Sequence, residues 1–533
     1  MSTSSANRQI ARAAGTVMFA ILFGQLAGLV RGILVARAFG ASPQLDAFFA
    51  ANRVSETLFL LVAGGALGSA FIPTFTGLLA KEEKDSAWRL ASALAIAVTL
   101  TLSLLAFILA IFAPQVVRYA LAPGLSANPT LFSLTINLLR IQLISAVLFG
   151  LGGLIVGILN AHQIFLIPAL TPAMYQLGII FGAVVLVPSI GIYGLAWGAV
   201  IGAVLYLLIQ LPSLVKLLMG QQLLVTDNWS LGLHDSNVRQ VLLLMVPRLL
   251  GVAVVQLNFW VNTNLASSME EGSVTGLYYG FSLMLMAQAA IAQSVAIAAM
   301  PTFSAQHALG KTDELRSSIA ASLRGILMMA LPASIGLILL REPLISFLYQ
   351  RGEFDEHDVQ LVAWALLWYA AGLVGHSIME VLTRAFYAQQ DTRTPVIIGT
   401  IAMGLNVLFS ILFSQFFTQI GWFPLGGLAL ANSLATALEA VALFIVMRNR
   451  LNGIEESHIA RGFFVFAIAS LGMAVSLWLW IQASGNLMRW VVALGGVTFG
   501  GVIYGAALIL FRVPEVQNVI QFIARRLKGF YGT

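Results

Sequence analysis

Three arginines interrupt segments that are otherwise apolar: Arg31 in FGQLAGLVRGILVARAFG (23–40), Arg53 in DAFFAANRVSETLF (46–59), and Arg140 in SLTINLLRIQLISAVLFG (133–150). Placing an arginine at the centre of a bilayer costs about 2.5–3.5 kcal/mol, so a charge in such a segment marks a functional site by default. A forked guanidinium suits phosphate oxygens, and a pyrophosphate offers several of them with two or more negative charges. Each arginine also has a local explanation. Glu56 stands one helical turn after Arg53 and can pair with it. Asn137 and Gln142 flank Arg140, whose side chain can also snorkel outward.

A second set is polar rather than charged. Pro247 and Arg248 precede Gln256, Asn258, Asn262 and Asn264, and the i,i+4 spacing of Asn258 and Asn262 puts them on one helix face. That face suits a cavity lining, or a monovalent-cation site shared with Asn406; ordinary interhelical hydrogen bonding explains the same pattern. Glu380 and Arg384, again i,i+4, read as a pair. Glu439 is the deep acid with no partner nearby in sequence, and is a candidate for coupling to a proton.

Other chemistry finds little support. The chain has no cysteine, which removes disulfides, thiolate metal sites and cysteine nucleophiles. Its six histidines show no metal-ligand spacing. Glu56, Glu380 and Glu439 are too far apart in sequence to suggest an acid–base pair. The acidic run from Glu353 to Asp358 reads as a solvated helix start. No metal or cofactor is expected, and the chain reads as a transporter rather than an enzyme.

The elements that carry these residues are membrane helices. Of 533 residues 59% are hydrophobic and 9% charged, whereas a soluble surface needs roughly 25% charged residues. The formal charge of +6 is spread over short loops rather than gathered in one patch, so nucleic acid is not an expected partner. Fourteen apolar segments, from 14–38 to 489–511, are each long enough to span. The ARA at 36–38 resembles a cleavage site, but the apolar stretch before it is too long and contains Arg31, so it reads as a retained first helix. Lys and Arg concentrate in segments on the side of the N-terminus, which places both termini in the cytoplasm.

The chain also repeats. FIPTFTGLLAKEEKDSAWRLASAL (71–94) answers to AMPTFSAQHALGKTDELRSSIAASL (299–323), and NAHQIFLIP (160–168) to YAQQDTRTP (387–395). An even number of helices per unit gives parallel repeats. The expected fold is all-α and polytopic: a six-helix lobe over 1–222, a second over 223–452, and two added helices with a basic tail over 453–533. AGGALGSA (63–70) and GLGGLIVG (150–157) have small-residue spacings that let helices pack closely.

VARAFGASPQLDAFFAANRV (35–54), GSVTGLYYGFSLM (272–284), YQRGEF (349–354) and LTRAFYAQQDTRTPV (382–396) resemble the MurJ/MviN family of the MOP exporter superfamily. The resemblance covers the whole chain. It implies a flippase that carries lipid II, the polyprenyl-pyrophosphate-linked peptidoglycan precursor, to the outer leaflet of a bacterial cytoplasmic membrane by alternating access. It also implies a groove for the lipid tail beside the last two helices.

Family arginines of the cavity match Arg31 here, but fall at Gln25, Phe59 and Ser282. The acid usually beside the second arginine is Gly32, and that of the family's AEGA motif is Gly64; the acid before the DAFF run is kept as Asp46. The expected substrate set is therefore Arg31, Gln25, Asp46, Arg53, Arg140 and Ser282. The expected coupling-ion candidates are Asn258, Asn262, Asn406 and Glu439. Membrane lipids and cell-wall synthesis proteins are the expected partners. Another lipid-linked oligosaccharide as cargo, or a scaffold derived from a flippase, are the competing readings.

Overall fold

The computed structural model describes residues 3–61, 68–220, 236–485 and 487–517, and among them helices but no strands occur. The main helices of the first part are α1 (Thr3–Phe39), α2 (Pro43–Phe59), α3 (Gly68–Ala80), α4 (Lys84–Ile111), α5 (Pro129–Ala161), α6 (Leu166–Phe181), α7 (Tyr193–Leu208), α8 (Ser236–Ser267) and α9 (Ser273–Gln288). Those that follow are α10 (Ser294–Ala308), α11 (Thr312–Leu339), α12 (Glu356–Ala371), α13 (Leu373–Ala388), α14 (Arg393–Gln419), α15 (Leu425–Arg450), α16 (Glu456–Ser484) and α17 (Arg489–Leu510). In a bilayer every backbone N–H and C=O must be satisfied within the protein, and the helix does this segment by segment.

Among the described residues eleven helices are long and apolar enough to span, and α12 with α13, bent by 46°, make a twelfth. Two further helical stretches, α2 with α3 and the polar α8, occupy the places of the expected second and seventh spans. The described helices are thus compatible with fourteen.

Contacts divide the chain into one unit of 1–275 with 351–354 and another of 276–350 with 355–533. The boundary expected at 222/223 lies outside the described residues. By contacts α8 groups with the first unit, while α16 and α17 group with the second. The lobe assignment drawn from the repeat is a statement about sequence symmetry, which this division does not test.

In the first unit α6 and α7 meet along glycines. A Cβ on Gly178 would lie 2.1 Å from the Cα of Gly202, and one on Gly182 would lie 2.7 Å from the Cα of Gly198. The two backbones touch directly, as small residues four apart allow. In the 150–157 stretch Gly150, Gly152 and Gly157 admit Leu102, Tyr206 and Phe71. The other stretch, 63–70, lies outside the residues whose side chains are described.

The second unit contains a corner. At Gly372 the spanning helix breaks, and two carbonyls beside the break are taken by side chains: Ser334 Oγ donates to Ala370 O and Ser433 Oγ to Trp368 O, both at 2.7 Å. There is no space for a side chain at Gly372, since its Cβ would lie 2.4 Å from Ser433 Oγ. Hydroxyls from neighbouring helices commonly satisfy groups freed at such breaks.

A buried arginine ties the last two helices to the second unit. Arg324 of α11 is 5% exposed; its Nε donates to Glu515 Oε1 at 2.6 Å and its Nη1 to His458 O at 2.7 Å. The guanidinium also lies over the Phe466 ring, and one turn further along α11 the Met328 carbonyl accepts from Tyr504 Oη at 2.6 Å. Burial pushes the Glu515 carboxyl up, but the bond to Arg324 outweighs it and holds the group below the usual glutamate range. A carboxylate favoured in the folded state contributes stability above its unfolded pKa and loses it as the pH falls through the folded one. Removing one partner of a buried pair costs about 3–5 kcal/mol. Thermal unfolding of the purified chain should therefore show Arg324→Ala strongly destabilised at neutral pH, with the gap to wild type narrowing on acidification below the ordinary glutamate range.

Candidate functional site

The polar residues of the first unit gather where α8 faces α2. Arg53 Nη1 meets Glu56 Oε2 at 2.9 Å, and its guanidinium lies 4.8 Å from the centre of the Phe259 ring. One turn on, Thr57 Oγ1 donates to Arg53 O at 2.7 Å and accepts from Trp260 Nε1 at 2.9 Å, with Gln256 Oε1 at 3.3 Å. Asn262 Nδ2 donates to Asn258 Oδ1 at 3.3 Å, so the i,i+4 face is real and partly satisfies itself. Tyr175 Oη of α6 donates to Asn52 Oδ1 at 3.3 Å beside it. The result is a belt of neutralised or hydrogen-bonded groups, in which the Arg53–Glu56 pair expected from spacing is present.

Asp46 is 3% exposed, and its carboxylate is fully employed. Oδ2 accepts from Gly272 N at 2.8 Å, and Oδ1 from Thr275 N at 2.7 Å and Thr275 Oγ1 at 2.6 Å. These are the free donors at the start of α9, and a carboxylate there also meets the positive end of the helix dipole. Gly272 makes the approach possible: it has φ +84°, and a Cβ on it would lie 2.3 Å from the Ala41 carbonyl. The QRGEF turn docks in the same way. Glu353 N donates to Arg37 O at 3.0 Å, and a Cβ on Gly352 (φ +66°) would lie 2.3 Å from that oxygen.

The other expected site residues sit as follows. Arg31 is half-buried in α1 and has a bonding partner, and Gln25 is exposed on the same helix. Arg140 is exposed, and its Nε donates to Ala110 O at 3.0 Å in the last turn of α4, so its side chain has a local task. In the second unit Ser282 is half-buried on α9. Asn406 is buried on α14, accepting from Ser410 Oγ at 3.1 Å, and Glu439 is 8% exposed on α15. Glu380 and Arg384 pair as their spacing suggests, at 2.6 Å. Gly64 and the side chains of Pro247 and Arg248 lie outside the described residues. Asp391 of the FYAQQDTRTP motif is a cap: it accepts from Arg393 N and Thr394 N at 3.0 Å and from Thr394 Oγ1 at 2.7 Å, and pairs with Arg450. Partial burial pushes its carboxyl up, but these bonds outweigh that and hold it well below the usual carboxylate range.

Sequence reasoning missed Phe259 and Trp260 as the partners of Arg53 and Thr57. The glycines of GSVTG and QRGEF are the one local signal that backbone comes close to backbone at these turns.

Long apolar helices enclosing polar groups bonded to one another are the make-up of a multi-pass membrane protein. A family model described as the lipid II flippase MurJ matches residues 35–495. The chain is 32% identical over 481 residues to the lipid II flippase MurJ of Burkholderia cenocepacia, covering 90% of this chain and 89% of that protein. It is 29% identical over 514 residues to a probable lipid II flippase MurJ of Vibrio cholerae, covering 92% and 94%. Among solved structures it resembles a lipid II flippase MurJ in an inward closed conformation, at a TM-score of 0.78 and 24% identity over 93% of this chain and 98% of that one. It also resembles an inward-facing MATE transporter of the MOP superfamily, at a TM-score of 0.68 and 16% identity over 83% and 99%. The chain belongs to the MurJ lipid II flippase family, whose members are transporters and not enzymes.

Asp46→Ala strands two backbone donors and a hydroxyl, each costing about 1–3 kcal/mol when left buried and unpaired. It should lower both the unfolding temperature and the amount of folded chain in membranes, while Asp46→Asn, which keeps one acceptor, should recover part of each. Thermal shift and membrane blots measure the two effects.

Proposed function

We propose that this chain moves lipid II from the inner to the outer leaflet of the bacterial cytoplasmic membrane by alternating access, with both termini cytoplasmic. The family match over residues 35–495 carries this reading. Flipping needs no covalent step: the protein has to replace water around a pyrophosphate headgroup while the polyprenyl tail stays in lipid. A guanidinium gives a forked, permanently charged donor for that purpose. Arg31 is the leading headgroup contact, with Gln25 and Ser282 as neutral donors where the family resemblance places arginines. Asp46 acts as a positioning residue for the start of α9. Cell-wall synthesis proteins on the receiving side are natural partners for such a carrier.

A second reading has one specific observation in its favour. Arg53 is neutralised by Glu56, so the second helix offers less positive charge than a bare arginine would. Fewer cationic groups favour a lipid-linked glycan with a smaller charge than lipid II.

Complementation separates these readings. A bacterium depleted of its own lipid II flippase should grow when supplied with the wild-type chain and fail with Arg31→Ala at matched membrane levels. A lost charge-assisted hydrogen bond is worth about 1.5–3 kcal/mol, or roughly ten- to a hundredfold in headgroup affinity. Rescue by both removes Arg31 from the site. Failure of a well-expressed wild type turns the search to other lipid-linked oligosaccharides.

A further inference from the structure

The second unit holds one buried acid that the flippase reading leaves unused. Glu439 lies in the middle of α15, 8% exposed, with no hydrogen-bond or ion-pair partner among the described residues. Across from it on α14 stands Gly399, where a Cβ would come within 3.1 Å of Glu439 Oε1. The glycine therefore leaves the carboxyl group its space.

The acid closes a polar stripe. Asn432, Thr436 and Glu439 are all buried and share one face of α15 at i, i+4 and i+7. Asn432 Oδ1 meets the Nε2 of His376, a second buried titratable group, at 3.1 Å. On α14 Asn406 lies two turns from Gly399 on the same face, and its buried Nδ2 has no acceptor among the described residues.

The surrounding charges are otherwise accounted for. The helices packed on α15 are α12, α13 and α14. Glu356, His357 and Asp358 lie in the first turn of α12; Glu356 faces Gln350 and Arg489, and Asp358 closes a capping box with Asp355. On α13 Glu380 and Arg384 bond to each other, and Arg393 is the first residue of α14. On α15 itself Arg448 pairs with Glu456 and Arg450 with Asp391.

We propose that Glu439 is a proton-binding site of the transport cycle; this rests on the chain being a transporter. The two forms of its carboxyl group differ by one charge at a place where the described residues supply neither a cation nor a hydrogen-bond donor, so a single proton changes the local electrostatics far more than at a paired acid. The step balances simply. The carboxylate takes a proton from water on one side, forming an O–H bond, and gives it back to water on the other.

The test uses the full chain in liposomes with fluorescently labelled lipid II, the membrane potential held at zero by potassium and valinomycin. An imposed pH gradient should accelerate translocation by the wild type. Glu439→Gln should lose that acceleration, measured as the ratio of rates with and without the gradient, and Glu439→Asp should regain part of it. A wild type indifferent to the gradient, a Glu439→Gln variant that still responds, or a sodium gradient that substitutes at equal pH overturns the proposal. A second measurement stands apart from transport. A hydrophobic carbodiimide attacks a protonated buried carboxyl, so peptide mass spectrometry should find Glu439 modified, with labelling lost as the pH rises. Absence of labelling at every pH overturns the proton site. Labelling at Glu439 without any lipid II movement upholds the site and overturns the flippase reading instead.

Discussion

Lack of water in the hydrocarbon core governs this structure. Burying an unpaired polar group costs about 1–3 kcal/mol on protein-derived scales, and burying an unpaired charge costs more. Polar groups that enter the spans are therefore drawn to one another. Arg53 finds Glu56 and the face of Phe259, Asp46 finds three donors, and Arg324 finds a carboxylate and a carbonyl. What holds the helices together is partly the remote bonds of Asp46 and Arg324 and partly the glycine contacts that bring backbones within reach.

The sequence was most informative where a partner lies close along the chain. Apolar segments gave the spans, and i,i+3 or i,i+4 spacing gave the pairs of Arg53 with Glu56 and Glu380 with Arg384. It was mute where the partner is remote. Asp46 binds residues 226 and 229 positions away, and Arg324 binds a glutamate 191 positions away. No local pattern carries that information. Arg140 shows a third limit: hydropathy finds a helix but not what each side of it meets, and that residue is exposed on α5 with its Nε on the Ala110 carbonyl. The YAQQDTRTP motif was legible as a family signature before its physical reason was. Asp391 supplies the missing acceptor for the first donors of α14, and Arg450 neutralises it.

The distribution of charge bears on what is carried. An arginine already paired within its own helix meets an anionic headgroup with less net attraction than a bare one, because its carboxylate partner repels what the guanidinium attracts. In this chain the second helix presents such a pair, while Arg31 stands on the first. Gln25 and Ser282, the positions where the family resemblance places arginines, carry neutral side chains and add no charge. A surface built this way offers less bulk positive potential than one with an arginine at each of these positions.

The break at Gly372 invites description as a hinge, yet its chemistry is that of a welded joint. The carbonyls beside the break are held by hydroxyls from α11 on one side and α15 on the other, and the glycine is wedged against Ser433. Straightening the helix would give those carbonyls N–H partners four residues on and leave the two hydroxyls without acceptors in a region without water. The corner thus fastens α11, α12, α13 and α15 to one another at a single place.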